Sequence, residues 1–184
     1  IPNFSVIRPA DANEVSECWK YILERKKPVG LILGRQNLPV FDRSKVTSAS
    51  EVANGAYILL ETGTNPDALI IATGSEVQYA VGAAEELDKE GIKVRVVSAP
   101  SLEWFEETSK EYQESVLPKS IKARVSVEAG IAQGWHKYVG DQGEIISIEH
   151  FGASASAGTL FKEYGFTSAN VVSAVKRTLA KSDK

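Results

Sequence analysis

Arg35 is the residue of this sequence best placed to bind a charged ligand. It follows a short apolar run, residues 29–33, which we predict to be a strand. In open parallel sheets, ligands bind beyond the carboxyl ends of the strands, and a planar guanidinium there can bind a phosphate through two parallel hydrogen bonds. The residues alone leave a second role equally open, which is an ion pair with a neighbouring carboxylate.

A second candidate is the turn at Gly74 and Ser75, between a predicted strand over residues 68–73 and a predicted helix. A helix that begins after a glycine turn presents free backbone N–H groups, which suit a phosphate. However, Glu76 would compete for the same positive potential, and a single glycine is not a nucleotide-binding fingerprint. We therefore favour an ordinary strand-to-helix turn, in which Ser75 and Gln78 form a capping box.

The remaining polar candidates favour structural roles. His136 and His150 are the only histidines, and neither belongs to a recognisable metal-ligand spacing. We predict surface or interface positions for both. The small-residue segment 152–158 lacks the Gly-x-Ser-x-Gly pattern of a nucleophile elbow, so we predict a turn there and another at residues 140–143.

Composition limits the class of protein. The chain has 184 residues, of which 43% are hydrophobic and 24% charged, and this is typical of a soluble globular protein. It has no apolar run of about 18 residues that would span a membrane, and its net charge of −3 without a basic block argues against nucleic-acid binding. The single cysteine, Cys18, and the lack of a signal-peptide pattern favour the cytoplasm. Because the chain starts at Ile1 and contains no methionine, we expect a part of a longer protein.

Residues 1–41 predict a strand, a helix and a second strand. The helix begins after Asp11, which can form a capping box with Glu14. Its apolar residues recur at the spacing of one buried face, namely Val15, Trp19, Ile22 and Leu23. The run over residues 29–33 predicts a strand buried on both faces. Such a βαβ unit is too small to bury its own sheet.

A polar, aperiodic segment, residues 42–55, predicts a linker before a second region. In that region, helices alternate with strands predicted over residues 56–60, 68–73, 92–98, 123–128 and 144–149. One of the helices is predicted over residues 131–139, and Gly91 is predicted to end the helix after Ser75 in a left-handed conformation. We expect Ser168 to cap the last helix. The predicted fold class is α/β, with a mostly parallel (mixed) sheet and helices on both faces.

Seven stretches of the sequence resemble the C-terminal part of transketolase, in that family's order and across nearly the whole chain. They are Arg8-Pro9-Ala10-Asp11, Gly34-Arg35-Gln36-Asn37-Leu38-Pro39, Ala72-Thr73-Gly74-Ser75-Glu76-Val77, Lys93-Val94-Arg95-Val96-Val97-Ser98, Glu114-Ser115-Val116-Leu117-Pro118, Val127-Glu128-Ala129-Gly130-Ile131 and Phe151-Gly152-Ala153-Ser154.

The resemblance implies three parts: residues 1–41 as the tail of the pyrimidine-binding domain, residues 42–55 as a linker, and residues 56–184 as the C-terminal domain. The expected fold is then transketolase C-terminal-domain-like, preceded by a βαβ remnant. Complete members of the family are homodimers of the pentose phosphate pathway, which transfer a two-carbon ketol unit from a ketose phosphate to an aldose phosphate. They use thiamine diphosphate and a divalent cation, Mg²⁺ or Ca²⁺.

Arg35 is the one site residue that the resemblance implies, because it matches the arginine that binds the phosphate of the sugar substrate. Gly34 precedes it, where many members have serine. The family's metal-binding Gly-Asp-Gly motif does not occur here, and its catalytic glutamate and most of its substrate histidines would lie before Ile1. We therefore expect this chain alone to bind neither thiamine diphosphate nor a metal, and to be inactive.

Two other classes of function stay open on the residues. One is a binding module that senses a phosphorylated ligand at residues 73–77, and the other is a structural domain that contributes subunit contacts. The nearest rival families are the deoxyxylulose-phosphate synthases and the keto-acid dehydrogenase subunits, which use the same cofactor. Residues 35–39 and 151–154 favour transketolase over both.

Overall fold

The computed structural model describes residues 1–182, which form a two-stranded and a five-stranded sheet. In the first unit, strand β1 (Ser5–Ile7) leads through helix α1 (Ala12–Arg25) to strand β2 (Val29–Leu31). The two strands pair in parallel, with Ser5 opposite Val29. The predicted βαβ unit is therefore present.

Helix α1 begins at its predicted cap. Asp11 Oδ1 accepts a hydrogen bond from Glu14 N at 2.8 Å. The Glu14 carboxylate does not bind the Asp11 N–H, as a capping box requires, but accepts from Ala10 N at 2.7 Å. Lys26, with a left-handed φ of 53°, ends the helix two residues before Pro28.

The face of α1 that the sequence predicts to be buried is partly exposed. Trp19 and Leu23 are 50% and 67% exposed, whereas Glu14 and Cys18 on the other side are buried. The strand predicted over residues 29–33 is shorter and half-buried, not buried on both faces. The reason is that α1 packs on the five-stranded unit through the side that carries Glu14, Cys18 and Ile22, while two short strands offer little area to cover Trp19 and Leu23.

The larger unit is a mixed sheet whose strands are β3 (Tyr57–Glu61), β4 (Ala68–Ala72), β5 (Val94–Ser98), β6 (Arg124–Val127) and β7 (Glu144–Ile146). Their order across the sheet is β3-β5-β4-β6-β7. Only the β3–β5 pair is antiparallel. Every residue of the central strand β4 is buried, as its continuous apolar run predicts. The predicted mostly parallel, mixed sheet is confirmed.

Helices cover both faces of this sheet. They are α2 (Val77–Lys89), α3 (Leu102–Glu106), α4 (Lys110–Val116), α5 (His136–Val139), α6 (Ala157–Glu163) and α7 (Ser168–Ser182). On one face, Leu87 of α2 and Val175 of α7 share a core with Ile70 of β4. On the other, α3, α4 and α5 pack around Leu69 and Ile71 of the same strand. A 3₁₀ helix, Ala49–Asn54, lies in the segment predicted as a linker.

The capping box predicted for α2 is wrong. Ser75 Oγ donates to Glu76 Oε1 at 2.5 Å, and Gln78 Nε2 donates to the Ser75 carbonyl at 2.8 Å. A 3₁₀ turn, Gly74–Glu76, precedes the helix instead. The buried Glu76 carboxylate needs hydrogen-bond donors, and the Ser75 hydroxyl is one of them.

The structure differs from two further local predictions, which concern the start of α7 and the helix over residues 131–139. Ser168, predicted to cap α7, is instead its first residue, and Thr167 Oγ1 accepts from Asn170 N at 3.2 Å. Residues 131–139, predicted as one helix, hold a 3₁₀ turn and the short α5. Among residues 1–182, no helix has both the length and the apolar character needed to cross a bilayer.

Candidate functional site

Arg35 is exposed in the loop that follows β2. Its side chain lines an open cleft of about 560 Å³, whose other lining residues are Gln36, Ala155, Ser156, Ala157, Leu160 and Phe161. The fold thus brings Arg35 beside the small-residue segment 152–158 and α6. Spacing along the sequence does not indicate this proximity, since more than a hundred residues separate the two segments.

The charge of Arg35 is uncompensated by neighbouring side chains. Within residues 1–182, every arginine except Arg35 and Arg124 forms an ion pair with a carboxylate. The sequence left two roles open for Arg35, an ion pair with a carboxylate or the binding of a phosphate. The described part of the chain offers no carboxylate partner for the first role. The guanidinium is free to bind an anion that enters the cleft.

A buried charged cluster lies at the carboxyl edge of the larger sheet. Arg8, just after β1, donates from Nη2 to Glu76 Oε2 at 2.8 Å and from Nη1 to Glu128 Oε1 at 2.7 Å. The Trp135 indole N–H donates to Glu128 Oε2 at 2.5 Å. Arg8, Glu76 and Glu128 come from three different stretches among the seven family-like ones, and the fold brings them into one contact.

Burial and pairing act in opposite directions on Arg8. Burial disfavours its charge, but Glu76 and Glu128 outweigh burial and raise the pKa of the guanidinium. The Glu76 side chain is fully buried, and that of Arg8 is 19% exposed. With both carboxylates ionised, the three groups carry one excess negative charge, which opposes the binding of a phosphate at this edge.

Arg8 contacts the turn at Gly74 through both its backbone and its side chain. Gly74 N donates to the Arg8 carbonyl at 2.9 Å. The Arg8 guanidinium lies over the turn, where a Cβ added to Gly74 would come within 3.2 Å of Nη2. Because this amide is used and the Glu76 carboxylate is adjacent, the structure favours the ordinary turn over a phosphate site.

Glu14 is fully buried between α1 and the larger sheet. Its Oε1 accepts from Tyr57 Oη at 2.7 Å and from Ser98 Oγ at 2.6 Å. Burial raises the pKa of Glu14, and the hydrogen bonds that it accepts only partly oppose this. Arg43 extends the network, since it donates to Tyr57 Oη at 3.0 Å and to Asp11 Oδ1 at 2.8 Å. The first unit is thus held to the sheet by buried polar contacts.

Arg25 makes a second connection between the two units. Its Nη1 lies 2.6 Å from Glu107 Oε2, and its guanidinium lies 4.4 Å from the centre of the Trp104 ring. Lys27 reaches the other oxygen of Glu107 at 3.2 Å. Helix α1 is therefore anchored at both ends, by Asp11 and Arg25.

Both histidines lie on the surface, which is one of the two positions predicted for them. His136 is exposed at the start of α5. His150 is also exposed, with Nδ1 at 2.7 Å from the Phe151 carbonyl oxygen and its ring centre 4.8 Å from that of Tyr164. In residues 1–182, no group of three His, Cys, Asp or Glu side chains is placed to hold a metal ion.

The charged cluster was missed from the sequence, although a signal for part of it was present. Arg8, Glu76 and Glu128 each follow a strand, at the carboxyl end, just as Arg35 does. The rule that singled out Arg35 applies equally to them. Glu14 had no such signal, because its position in a predicted capping box is equally compatible with exposure to solvent.

Two family models match this chain. Residues 55–167 match the "Transketolase-like TK C-terminal domain", and residues 1–40 match the "Transketolase, pyrimidine binding domain". Among curated relatives, a transketolase of Mycobacterium tuberculosis is 54% identical over 187 residues, covering 97% of this chain. A transketolase of Aquifex aeolicus is 51% identical over 176 residues and covers 95% of it. The chain spans 26% of the length of each of these relatives.

Solved structures agree with these sequence matches. Transketolase from Leishmania mexicana superposes with a TM-score of 0.89 at 38% identity, over 98% of this chain and 26% of the other. A transketolase of Pichia stipitis in complex with sedoheptulose 7-phosphate gives 0.87 at 39% identity, over 97% and 25%. A split-gene transketolase, described as an inactive β4 tetramer, gives 0.75 at 25% identity and covers 98% of this chain and 59% of its own.

Proposed function

We propose, since this chain belongs to the transketolase family, that it forms the C-terminal region of an enzyme that transfers a two-carbon ketol unit from a ketose phosphate to an aldose phosphate. The match to the pyrimidine-binding domain supports thiamine diphosphate as the cofactor, which supplies the carbanion-stabilising chemistry when bound. We place this enzyme in the cytoplasm and in the pentose phosphate pathway. Residues 1–41, 42–55 and 56–184 would be the tail of the pyrimidine-binding domain, the linker and the C-terminal domain.

Arg35 is proposed to bind the phosphate group of the sugar substrate. The observation that carries this role is an exposed guanidinium, without an ion pair in the described residues, that lines an open cleft beyond the carboxyl end of β2. A phosphate dianion there can accept two parallel hydrogen bonds from one guanidinium. The substrate class is supported by the Pichia stipitis relative that was solved with sedoheptulose 7-phosphate.

The described residues do not fit the divalent cation that accompanies the cofactor. No suitable group of three ligands occurs among residues 1–182, and the two carboxylates of the charged cluster are engaged by Arg8. We therefore propose that the cation and the diphosphate are bound by residues outside this chain, and that this chain alone is inactive. The inactive tetramer of the split-gene relative supports this proposal.

The exposed apolar side of α1 is proposed to pack against the rest of the pyrimidine-binding domain, in a complete enzyme that is a homodimer. Trp19 and Leu23 present a large apolar area there, together with the nearby exposed Ile32 and Leu33 beyond β2. A parallel sheet is normally covered on both faces, and the two-stranded sheet of this chain would be extended and covered in that way.

The test of the Arg35 role compares a ketose phosphate donor with its non-phosphorylated counterpart, in a full-length protein that carries this segment. For Arg35→Ala, we expect kcat/KM for the phosphorylated donor to fall about 10–100-fold, because charge-assisted hydrogen bonds are lost. The value for the non-phosphorylated donor should change less than about twofold. Lys45→Ala, which removes an exposed cation elsewhere, is the matched control. An equal fall with both donors would contradict the phosphate role, as would no fall with either.

The inactivity of this chain alone has a separate test. Calorimetric titration with thiamine diphosphate and Mg²⁺ should give no binding, and a coupled transketolase assay should give no turnover. Tight binding or measurable turnover would contradict the proposal, without affecting the role of Arg35.

A further inference from the structure

Arg124 lies at the edge of the larger sheet opposite the charged cluster, because it begins β6 whereas Glu128 follows that strand. Its guanidinium donates to four backbone carbonyls, those of Tyr138 and Pro118 at 2.7 Å, Ile121 at 2.8 Å and Leu117 at 3.2 Å. These bonds hold the group in one orientation and leave one of its five N–H donors unused.

Among residues 1–182, Arg124 forms no ion pair with a carboxylate, and the charge of Glu114 opposes the effect of burial only in part. All four acceptors are neutral carbonyls, and burial lowers the pKa of this guanidinium. Arg8, in contrast, is buried with two carboxylates. A partly buried cation whose hydrogen-bond acceptors are all neutral is costly, and an anion that binds from outside the protein would lower this cost.

Three lysines surround the open side of Arg124. Lys119, Lys122 and Lys137 line the same cavity, of about 350 Å³, between the loop before β6 and the turn after α5. Lys119 and Lys122 form no ion pair within the described part of the chain, and Lys137 pairs with Glu106. Among residues 1–182, Asp141 is the only carboxylate that lines this cavity. Among the described residues that line the cavity, cations therefore exceed anions, although the chain as a whole has a net charge of −3.

An adjoining cavity of about 410 Å³ extends the same positive surface. It shares Lys119, Arg124 and Lys137 with the first and adds Lys110, with Glu114 as its carboxylate. The Glu114 side chain also accepts from Lys119 N at 2.7 Å, so it is oriented towards the loop. The two cavities together can accommodate a ligand larger than a single phosphate ion.

We propose that this cleft, lined by Lys119, Lys122, Arg124 and Lys137, is a binding site for a small phosphorylated molecule with two or more negative charges. Arg124 supplies a rigid positive centre with one remaining donor, and the lysines supply flexible ammonium groups that close on the ligand. The site lies at the amino edge of the parallel strands, away from Arg35, and it is independent of the proposed sugar-phosphate role.

A small molecule fits the cleft better than a membrane does. Arg124 lies within a concavity, and its side chain is bound on several sides by backbone carbonyls, so a flat anionic surface would meet the lysines but not the guanidinium. The test therefore uses a soluble polyanion, inorganic pyrophosphate, and includes anionic vesicles as a separate arm.

The experiment is titration of this chain with pyrophosphate, followed by calorimetry and by amide chemical shifts. We expect saturable binding, with shifts centred on residues 119–124 and 137–142. Lys119→Ala combined with Lys122→Ala should weaken binding about tenfold or more, because two charge-assisted contacts are lost. Lys45→Ala combined with Lys89→Ala removes the same charge from exposed sites elsewhere, and should leave affinity within about twofold of the wild type.

Three results would overturn the proposal. They are no saturable binding of pyrophosphate, an equal loss of affinity in the two double variants, and shifts that map elsewhere on the chain. Co-sedimentation with phosphatidylglycerol vesicles, lost in Lys119→Ala/Lys122→Ala and combined with no pyrophosphate binding, would show that the surface recognises membranes instead.

Discussion

Arg8 Nη2 lies 2.8 Å from Glu76 Oε2, and the Glu76 side chain is completely buried at this contact. The pair joins the first βαβ unit to the strand-to-helix turn of the larger sheet. Glu128 shares the same guanidinium at 2.7 Å. This buried charge contact therefore helps to fix the relative position of the two units, and its loss would leave an uncompensated carboxylate in the interior.

Arg8→Ala should lower the free energy of unfolding by about 3–5 kcal/mol, because removal of one partner of a buried pair leaves the other charge without compensation. Urea denaturation measures this change. Lys93→Ala, which breaks the exposed pair with Asp88, is the control, and it should cost less than about 1 kcal/mol. Equal costs for the two variants would show that the buried cluster does not hold the units together.

The raised pKa of Glu14 predicts a dependence of stability on pH. The folded state holds a proton on this carboxyl more strongly than the unfolded state does, so the stability it contributes falls as pH rises from its ordinary pKa of 4.5 towards the raised value. The difference in unfolding free energy, wild type minus Glu14→Gln, should therefore decrease over that interval. Denaturation at several pH values measures it, and Glu85→Gln on the exposed surface of α2 controls for net charge. A difference that rises with pH would contradict the prediction.

Alanine substitutions at two glycines with positive φ distinguish the cost of backbone strain from the cost of steric overlap. A Cβ on Gly91, φ +82°, would meet no atom within 4 Å, so Gly91→Ala should cost only about 1–2 kcal/mol of backbone strain. A Cβ on Gly55, φ +76°, would lie 2.2 Å from Phe105 N, and Gly55→Ala should cost about 1–3 kcal/mol more. Thermal unfolding of both variants measures the difference, and similar costs would mean that the backbone at Gly55 moves easily.

The exposed side of α1 should bind apolar probes. In this chain, Trp19→Lys combined with Leu23→Lys should reduce the fluorescence of a bound hydrophobic dye and weaken concentration-dependent self-association. The reason is that these two apolar side chains are 50% and 67% exposed. Sedimentation measures the association. Phe151→Lys, at a side chain outside α1 that is 98% exposed, is the control and should change both signals much less.

The larger sheet could be predicted from the sequence because its signals are local. The apolar run of β4 lies within five residues, and the glycine that ends α2 takes the expected left-handed φ. The α1 face was predicted only in part, because helical spacing identifies an apolar side but not what covers it, and Trp19 stays 50% exposed within residues 1–182.

The candidate site was predictable only in part, for a related reason. Arg35 could be chosen from its place after a strand, but its proximity to Ser156 depends on how distant segments pack. The contact between Arg8 and Glu128 spans 120 residues, and no spacing rule indicates a pair at such separation. Long-range polar contacts of this kind follow from the tertiary fold rather than from local pattern.

The connections made by Arg8, Glu14 and Arg25 mean that the segment between the two units is not what keeps them together. A single proteolytic cut in the exposed part of this segment, near Lys45, would separate the chain into two pieces on a denaturing gel. Under native conditions, the nicked protein should still migrate as one particle of 19.9 kDa. The two units would then behave as a non-covalent complex that can be produced from separate polypeptides and reassembled.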